Sequence, residues 1–600
     1  YIEGSPFATH EDLADAMVDY LTGTDAFDKD EDTVFNEPRD KILGDIFHAN
    51  AVLIGPPPIA LAAEDGFGPP ETAGTFLAMH GRRDRRLLIG ANDGMLHGIE
   101  AGSYQTGDNP ITPEGEDGYY EMGTGNEDFA WIPGQLLPTL KYIPRNLPRK
   151  YYFVDGTTSA ADAWLPSAPG DTTKEGDEWT TVSVTGYRKG GSGYLALDVT
   201  DPSAVAGTHG PYPKLLWELD DPNEPFGESW SQMIITRVKV EGGVGSGDHC
   251  GADDGDGDCK EQWVGIIGAG YNRTGDPNLL SYIGDPNSVG WTNEGRGIYI
   301  INLEDGSVVS KFTYDRADAV ASGLTDAVAS TPAVLDLDFD GFADVVYVGD
   351  LGGWMWKWDL STVGTDSADA DSLIDSWPVG PFFQDDGQDL GAGANHWRSV
   401  FFPPSATMID GELTLSFGSG ERTNLPYPGV AGVDENNRFV VIQDPNPTGP
   451  GSIPTTPYTI ADVTDVTATG IDTDPTDLGF FISARDGEKF VTDHITFQGF
   501  LITTTYAVED TGDPCNAGGS SFVYIFDLAT GAGFFGSDDS PEASDRSLSL
   551  GGGIPSSPAI SVGENGATIF VSTSGGSVPS LEGPNEDESP VELVYWKQER

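Results

Sequence analysis

The chain has 600 residues, with 31 Lys+Arg against 96 Asp+Glu, a formal net charge of −65 and a sequence pI of about 4.1. That deficit of cations excludes nucleic acid as a partner, because phosphate binding draws its affinity from clustered Lys and Arg. A 38% hydrophobic fraction with 10% aromatics suffices for a real core, 79 Gly and 42 Pro demand many turns, and no apolar run approaches the ~18 residues that a membrane-spanning helix needs.

The start, Tyr1-Ile2-Glu3-Gly4, has neither the charged nor the apolar region of a signal peptide and reads as the interior of a longer protein. Over Glu11–Leu21 the apolar residues recur at helical spacing with acids at the N-terminal end, which predicts one short helix in an N-terminal segment, residues 1–40. Asp28-Lys29-Asp30-Glu31-Asp32 reads as an exposed charge run.

From residue 41 to 600 a different grammar takes over: an apolar strand, a Gly/Asp turn, a second strand. It is clearest in Leu87–Glu100 and in Val345–Asp359, which contains Gly349-Asp350-Leu351-Gly352-Gly353 and Trp354, Trp356 and Trp358. Looser copies pair Gly193–Asp198 with Leu215–Glu218, Trp263–Gly268 with Gly297–Asn302, Leu413–Gly418 with Phe439–Ile442, and Phe500–Thr504 with Phe522–Asp527, before Ala567–Thr573. About seven units at intervals of roughly 70 to 95 residues predict an all-β fold, a modified β-propeller of about seven blades with loop insertions. Asn50–Gly55 and Val591–Trp596, at the two ends, are expected to share one blade and close the ring.

Two acidic segments call for more than solubility. Cys250 and Cys259 bracket a tract containing Asp253, Asp254, Asp256 and Asp258. A disulfide would order it and imply an oxidising compartment, two free thiols being the other reading; Cys515 is left over, and the tract itself could take an ion. The sharper motif is Asp336-Leu337-Asp338-Phe339-Asp340-Gly341-Phe342-Ala343-Asp344. Carboxylates at loop positions one, three, five and nine, with the Phe342 carbonyl at seven and a glycine for the tight turn, form the all-oxygen shell of a hard cation, Ca²⁺ before Mg²⁺. The flanks are strands, and position twelve is Tyr347, so the site is EF-hand-like in its loop alone.

Several segments, in order, resemble the C-terminal domain of the PilC/PilY family of type IV pilus tip adhesins and biogenesis proteins. They include Ile42–His48, Gly90–His97, Phe129–Pro133, Tyr152–Gly156, Ala196–Thr200, Leu216–Glu218, Gly270–Asn272 and Tyr347–Gly353, so the match covers about 40 to 360. The resemblance implies a quinoprotein-like propeller whose Ca²⁺ loop corresponds to Asp336, Asp338, Asp340 and Asp344. It also implies export through the periplasm and outer membrane to the pilus tip on the cell surface, partnership with minor pilins, and a surface or host-cell receptor. Pilus assembly and retraction control, adhesion and twitching motility would follow, with no catalysis.

The alternative is a periplasmic quinoprotein dehydrogenase using PQQ and Ca²⁺, which the tryptophans at 354, 356 and 358 also fit. Against it, the alcohol-oxidising members generally show adjacent cysteines over the cofactor, and here there is also no haem-type Cys-x-x-Cys-His. Of 8 His, only His97 lies in a strong repeat motif, where it reads as part of a turn entering a strand, and no hydrolase elbow or His-Glu-x-x-His occurs.

Overall fold

A computed structural model describes residues 9–109, 118–144, 150–166, 173–203, 211–219, 224–241, 259–272, 292–314, 323–366, 373–385, 398–423, 425, 436–471, 478–508, 518–536, 542–563, 566–576 and 578–583. Two compact units divide the chain, one comprising Tyr1–Ile235 with Asn302–Ser307 and the other Thr236–Ile301 with Val308–Glu599. No helix among the described residues is long and apolar enough to cross a membrane.

The predicted helix forms at His10–Leu21. It starts where Thr9 and Asp12 exchange side-chain and backbone hydrogen bonds at 2.9 and 3.0 Å, and it buries Ala16, Tyr20 and Leu21. A second, five-residue helix, Phe76–His80, has no periodic signal long enough to predict it.

The rest is sheet. Among the described residues, seven sheets have three or more strands, and a two-stranded ribbon pairs Tyr104–Gln105 with Tyr119–Tyr120. In the first unit, one sheet runs Val52–Ile54, Arg86–Gly90, Leu96–Glu100 and Glu127–Trp131, and the next takes Thr158–Trp164, Trp179–Gly186, Tyr194–Asp198 and Lys214–Leu219 in sequence order. The third sheet is Ile234–Glu241, Cys259–Gly268, Gly297–Asn302 and Val308–Thr313. The fourth is Ala333–Leu335, Val345–Gly349, Trp354–Asp359 and Val379–Gln384, with Tyr458–Thr459 added in parallel. Every strand of the looser copies lies within an observed strand or overlaps one; Val591–Trp596, the 253–258 tract, Cys250 and Cys515 fall outside the described residues, as does the side chain of Cys259.

Two-sided burial explains the continuous apolar runs. All five residues of Val345–Gly349 are buried. Because successive side chains point to opposite faces, Val346 and Val348 join a core with Val264, Ile298 and Ile300 of the third sheet. Val345 and Tyr347 join a different core, with Leu413, Leu415 and Val440 of the fifth sheet, whose strands include Glu412–Gly418 and Arg438–Asp444. The period of two also places Trp354, Trp356 and Trp358 on one face, where Trp356 packs 5.7 Å from Phe312 and donates to Asp350 at 2.8 Å. Trp356 and Trp358 are core residues, and Trp354 packs half-buried against the same core.

The fourth and fifth sheets are tied further by buried charge. Lys357 is fully buried, with its ammonium on Asp444 and on the carbonyls of Asn446 and Ser452 at 2.8 Å; Tyr347 donates to the same carboxylate at 2.5 Å. Lys357→Ala leaves Asp444 buried without its cation, and we expect a loss of about 3 kcal/mol or more. The measurement is the chemical denaturation midpoint; a shift equivalent to under about 1 kcal/mol would show the pair to be peripheral.

Candidate metal centre

The Asp336–Asp344 loop joins two antiparallel strands of the fourth sheet, Ala333–Leu335 and Val345–Gly349, closed by the Asp344 N–H on the Leu335 carbonyl at 2.8 Å. Inside it, backbone N–H groups aim the acids. Gly341 donates to Asp336 at 2.8 Å, Asp340 to Asp338 at 3.1 Å and Phe342 to Asp340 at 2.8 Å. The turn needs two left-handed residues, Phe339 at φ 62° and Gly341 at φ 89°. Glycine is favoured at 341 by that left-handed φ, and a Cβ there would also lie 2.1 Å from Nη2 of Arg237, which would have to move.

One carboxylate oxygen each from Asp336, Asp338 and Asp340 lies within 4.8 Å of the others. One oxygen of Asp336 is buried with no hydrogen-bond donor. A convergent all-oxygen set with an unsatisfied buried acceptor is what a hard divalent cation would complete. Asp344 stands outside that trio. It is buried and accepts the Leu337 N–H at 2.6 Å, so the structure brings together three of the four predicted carboxylates and sets the fourth beside them. Phe342 is buried, its ring 4.5 Å from the Arg237 guanidinium and 5.1 Å from the Lys239 ammonium.

Those two cations come from Ile234–Glu241, about a hundred residues upstream, and no pattern in the loop announces them. Arg237 donates to the Gly341 carbonyl at 2.7 Å and to Glu261 at 3.2 Å, while Lys239 pairs with Asp340 at 2.5 Å. Burial alone would lower the Lys239 pKa, but its bond to Asp340 and the fields of Asp340, Asp338 and Asp344 raise it. Burial pushes Asp336 up against the opposing Gly341 and Phe339 N–H groups, with Asp340 and Asp338 adding to the rise. Asp344 is pushed up to about 6, by burial first and then by Asp338, Asp336 and Asp340, with the Leu337 N–H pulling the other way.

A second loop has the same turn. Thr33 donates to Asp28 at 3.0 Å, Asp32 to Asp30 at 3.3 Å and Val34 to Asp32 at 2.8 Å, with Glu31 and Thr33 at φ 64° and 72°. Asp28, Asp30 and Asp32 each bring an oxygen within 4.8 Å of the others. The expected charge run is exposed at Asp30 and Asp32, yet it is an ordered acidic turn. His97, by contrast, is a structural residue: it is buried between Glu127 at 2.7 Å and Asp93 at 3.1 Å.

The profile of the PilY1 beta-propeller domain matches residues 43–388, more than half of the chain and including the Asp336–Asp344 loop. The chain belongs to the PilY1 β-propeller family. Among curated relatives, the type IV pilus biogenesis factor PilY1 of Pseudomonas aeruginosa (strain UCBPP-PA14) is 28% identical over 63% of this chain and 26% of its own length. A PilY1 homolog of Xylella fastidiosa is 24% identical over 93% of this chain and 39% of its own length, so the chain spans well under half of either relative. In structure, the P. aeruginosa PilY1 C-terminal domain matches at a TM-score of 0.56 and 21% identity, covering 89% of this chain and all of that domain. Family membership and this likeness establish the expected propeller fold class.

A carboxyl whose folded pKa is raised stabilises the fold when protonated, so this contribution is present at low pH and is lost as pH rises through about 6. With chelator present, lowering pH from 7 to 5 should therefore raise the denaturation midpoint of the wild type more than that of Asp344→Asn. Equal pH slopes in the two proteins would refute the assignment of Asp344.

Proposed function

We propose that this domain binds Ca²⁺ at Asp336, Asp338 and Asp340, with Asp344 and the Phe342 carbonyl completing the shell, and serves as the propeller of a type IV pilus tip-associated adhesin. The observation that carries the reading is the carboxylate trio closing two strands of one sheet, with a buried Asp336 oxygen lacking any donor. Ca²⁺ suits it better than Mg²⁺ because the larger ion accepts a flexible shell of many carboxylates. An ion bound only by the folded loop adds its binding free energy to that conformation. In this reading the ion fixes one blade and the surface built on it, which contacts minor pilins at the tip and a surface or host-cell receptor.

The protein acts by gripping, not by turnover. It supports pilus assembly against retraction, adhesion and twitching motility from the cell surface, after export through the periplasm and outer membrane. The relatives named as type IV pilus biogenesis factors support this. The Asp28–Asp32 turn, built on the same hydrogen bonds, extends the ion reading to a second site.

Calorimetry on chelator-treated protein tests the ion. Saturable Ca²⁺ binding should weaken by at least about tenfold in Asp336→Asn and in Asp338→Asn, with Mg²⁺ binding weaker throughout. Unchanged affinity in both variants would remove the site. In cells making the full-length protein, Asp338→Asn should reduce surface pili and twitching; wild-type pili and motility, despite confirmed loss of ion binding, would detach the ion from the function.

A further inference from the structure

The first unit holds a concentration of positive charge that the fold uses only in part. Gly81-Arg82-Arg83-Asp84-Arg85-Arg86 places four arginines between the helix Phe76–His80 and the strand Arg86–Gly90, in a chain with only 31 Lys+Arg. Two of the four are consumed internally. Arg83 is buried and donates to Gly55 at 2.6 Å, Thr181 at 2.6 Å and Thr200 at 3.0 Å. Arg86 is buried and pairs with Asp128 and, at 3.9 Å, with Asp84.

Arg82 and Arg85 differ. Among the described residues neither has a carboxylate within ion-pairing distance or an acceptor for its guanidinium. Their contacts are aromatic, Arg82 lying 5.0 Å from the Tyr104 centroid and Arg85 3.8 Å from that of Tyr120. The two tyrosines are cross-strand partners in the two-stranded ribbon, with centroids 5.3 Å apart at 69°, and the Tyr120 hydroxyl is anchored on the Arg83 carbonyl at 3.1 Å. A cation–π contact uses the face of a guanidinium and leaves its N–H donors unspent. Nε of Arg85 is buried and has no acceptor among the described residues.

Among the described residues, three nearby acids are engaged elsewhere. Asp84 and Asp128 are held by Arg86, and Glu100 takes the N–H groups of Gly102 at 2.7 Å and Thr124 at 2.5 Å. We infer that Arg82 and Arg85, fixed on the tyrosine ribbon, form a binding subsite for an oxyanion, a sulfate or carboxylate group, free or carried on a sugar. Forked guanidinium donors match such groups in two-bond geometry. The net charge of −65 opposes a long polyanion, but screening within about 8 Å at physiological salt lets a single group reach the two arginines.

The test is isothermal titration of the folded chain at fixed ionic strength with sodium sulfate, sodium acetate, a sulfated disaccharide that carries no carboxylate, and the same disaccharide desulfated. The expected result is saturable binding of an oxyanion-bearing probe, weakened by about tenfold or more in Arg82→Gln and in Arg85→Gln. It should be unchanged in Lys214→Gln, which removes an exposed charge elsewhere in the same unit. Arg82 is exposed, so Arg82→Gln keeps the test intact even if Arg85→Gln fails to fold. Sulfate binding as tightly as the sulfated sugar identifies the free ion as ligand; a stronger sugar identifies the sugar-borne group. Equal binding of the desulfated sugar, equal loss in Lys214→Gln, or no saturable binding by the wild type would each overturn the subsite.

Discussion

Burial of the inner strands on both faces is the constraint from which the rest follows. Val345–Gly349 has no solvent face, because its odd residues pack toward the fifth sheet and its even residues toward the third. A strand of this kind has no place for an uncompensated charge, so acids are either paired inside or displaced to the strand ends. The paired ones include Asp444 with Lys357, Asp385 with Arg398 and Arg438, and Asp162 with Thr181 and Arg83. The displaced ones crowd into turns, and there the shortage of cations leaves oxygens facing one another.

That logic made much of the fold legible in the sequence. Runs such as Val345–Gly349 and Trp263–Gly268 could only be strands covered on both sides, and the acids between Leu335 and Val345 could only be a loop. The register of carboxylates along the loop was equally readable, because Gly341 marks the tight turn. The twin turn at Asp28–Asp32 was hidden for the same reason: Thr33 occupies the corresponding left-handed position at φ 72°, where sequence patterns look for glycine.

What the sequence could not convey lies in long-range partners. Arg237 and Lys239 are spaced as alternate residues of an ordinary strand, and nothing in that spacing says that both side chains reach the Gly341–Phe342 turn. Asp344 looks equivalent to its three companions in the one-dimensional pattern, yet the Leu337 N–H takes one of its oxygens and burial pushes its pKa up to about 6. Likewise Arg82, Arg83, Arg85 and Arg86 read as one basic run, and only packing divides them into two internal struts and two residues stacked on tyrosine.

These partners bear on what an ion could do at the loop. Four backbone N–H groups already hold the acids in place, from Gly341, Asp340, Phe342 and Leu337, and Arg237 ties the Gly341 carbonyl to the third sheet. The turn is therefore held in part by the chain's own hydrogen bonds, which lessens the ordering that a bound ion would have to supply. Lys239 supplies one positive charge against several negative ones, while burial first, and the neighbouring carboxylates after it, raise the pKa values of Asp336 and Asp344. A divalent ion at this place would offset the repulsion among these carboxylates. It would brace the turn that Arg237 links to Glu261 of the third sheet.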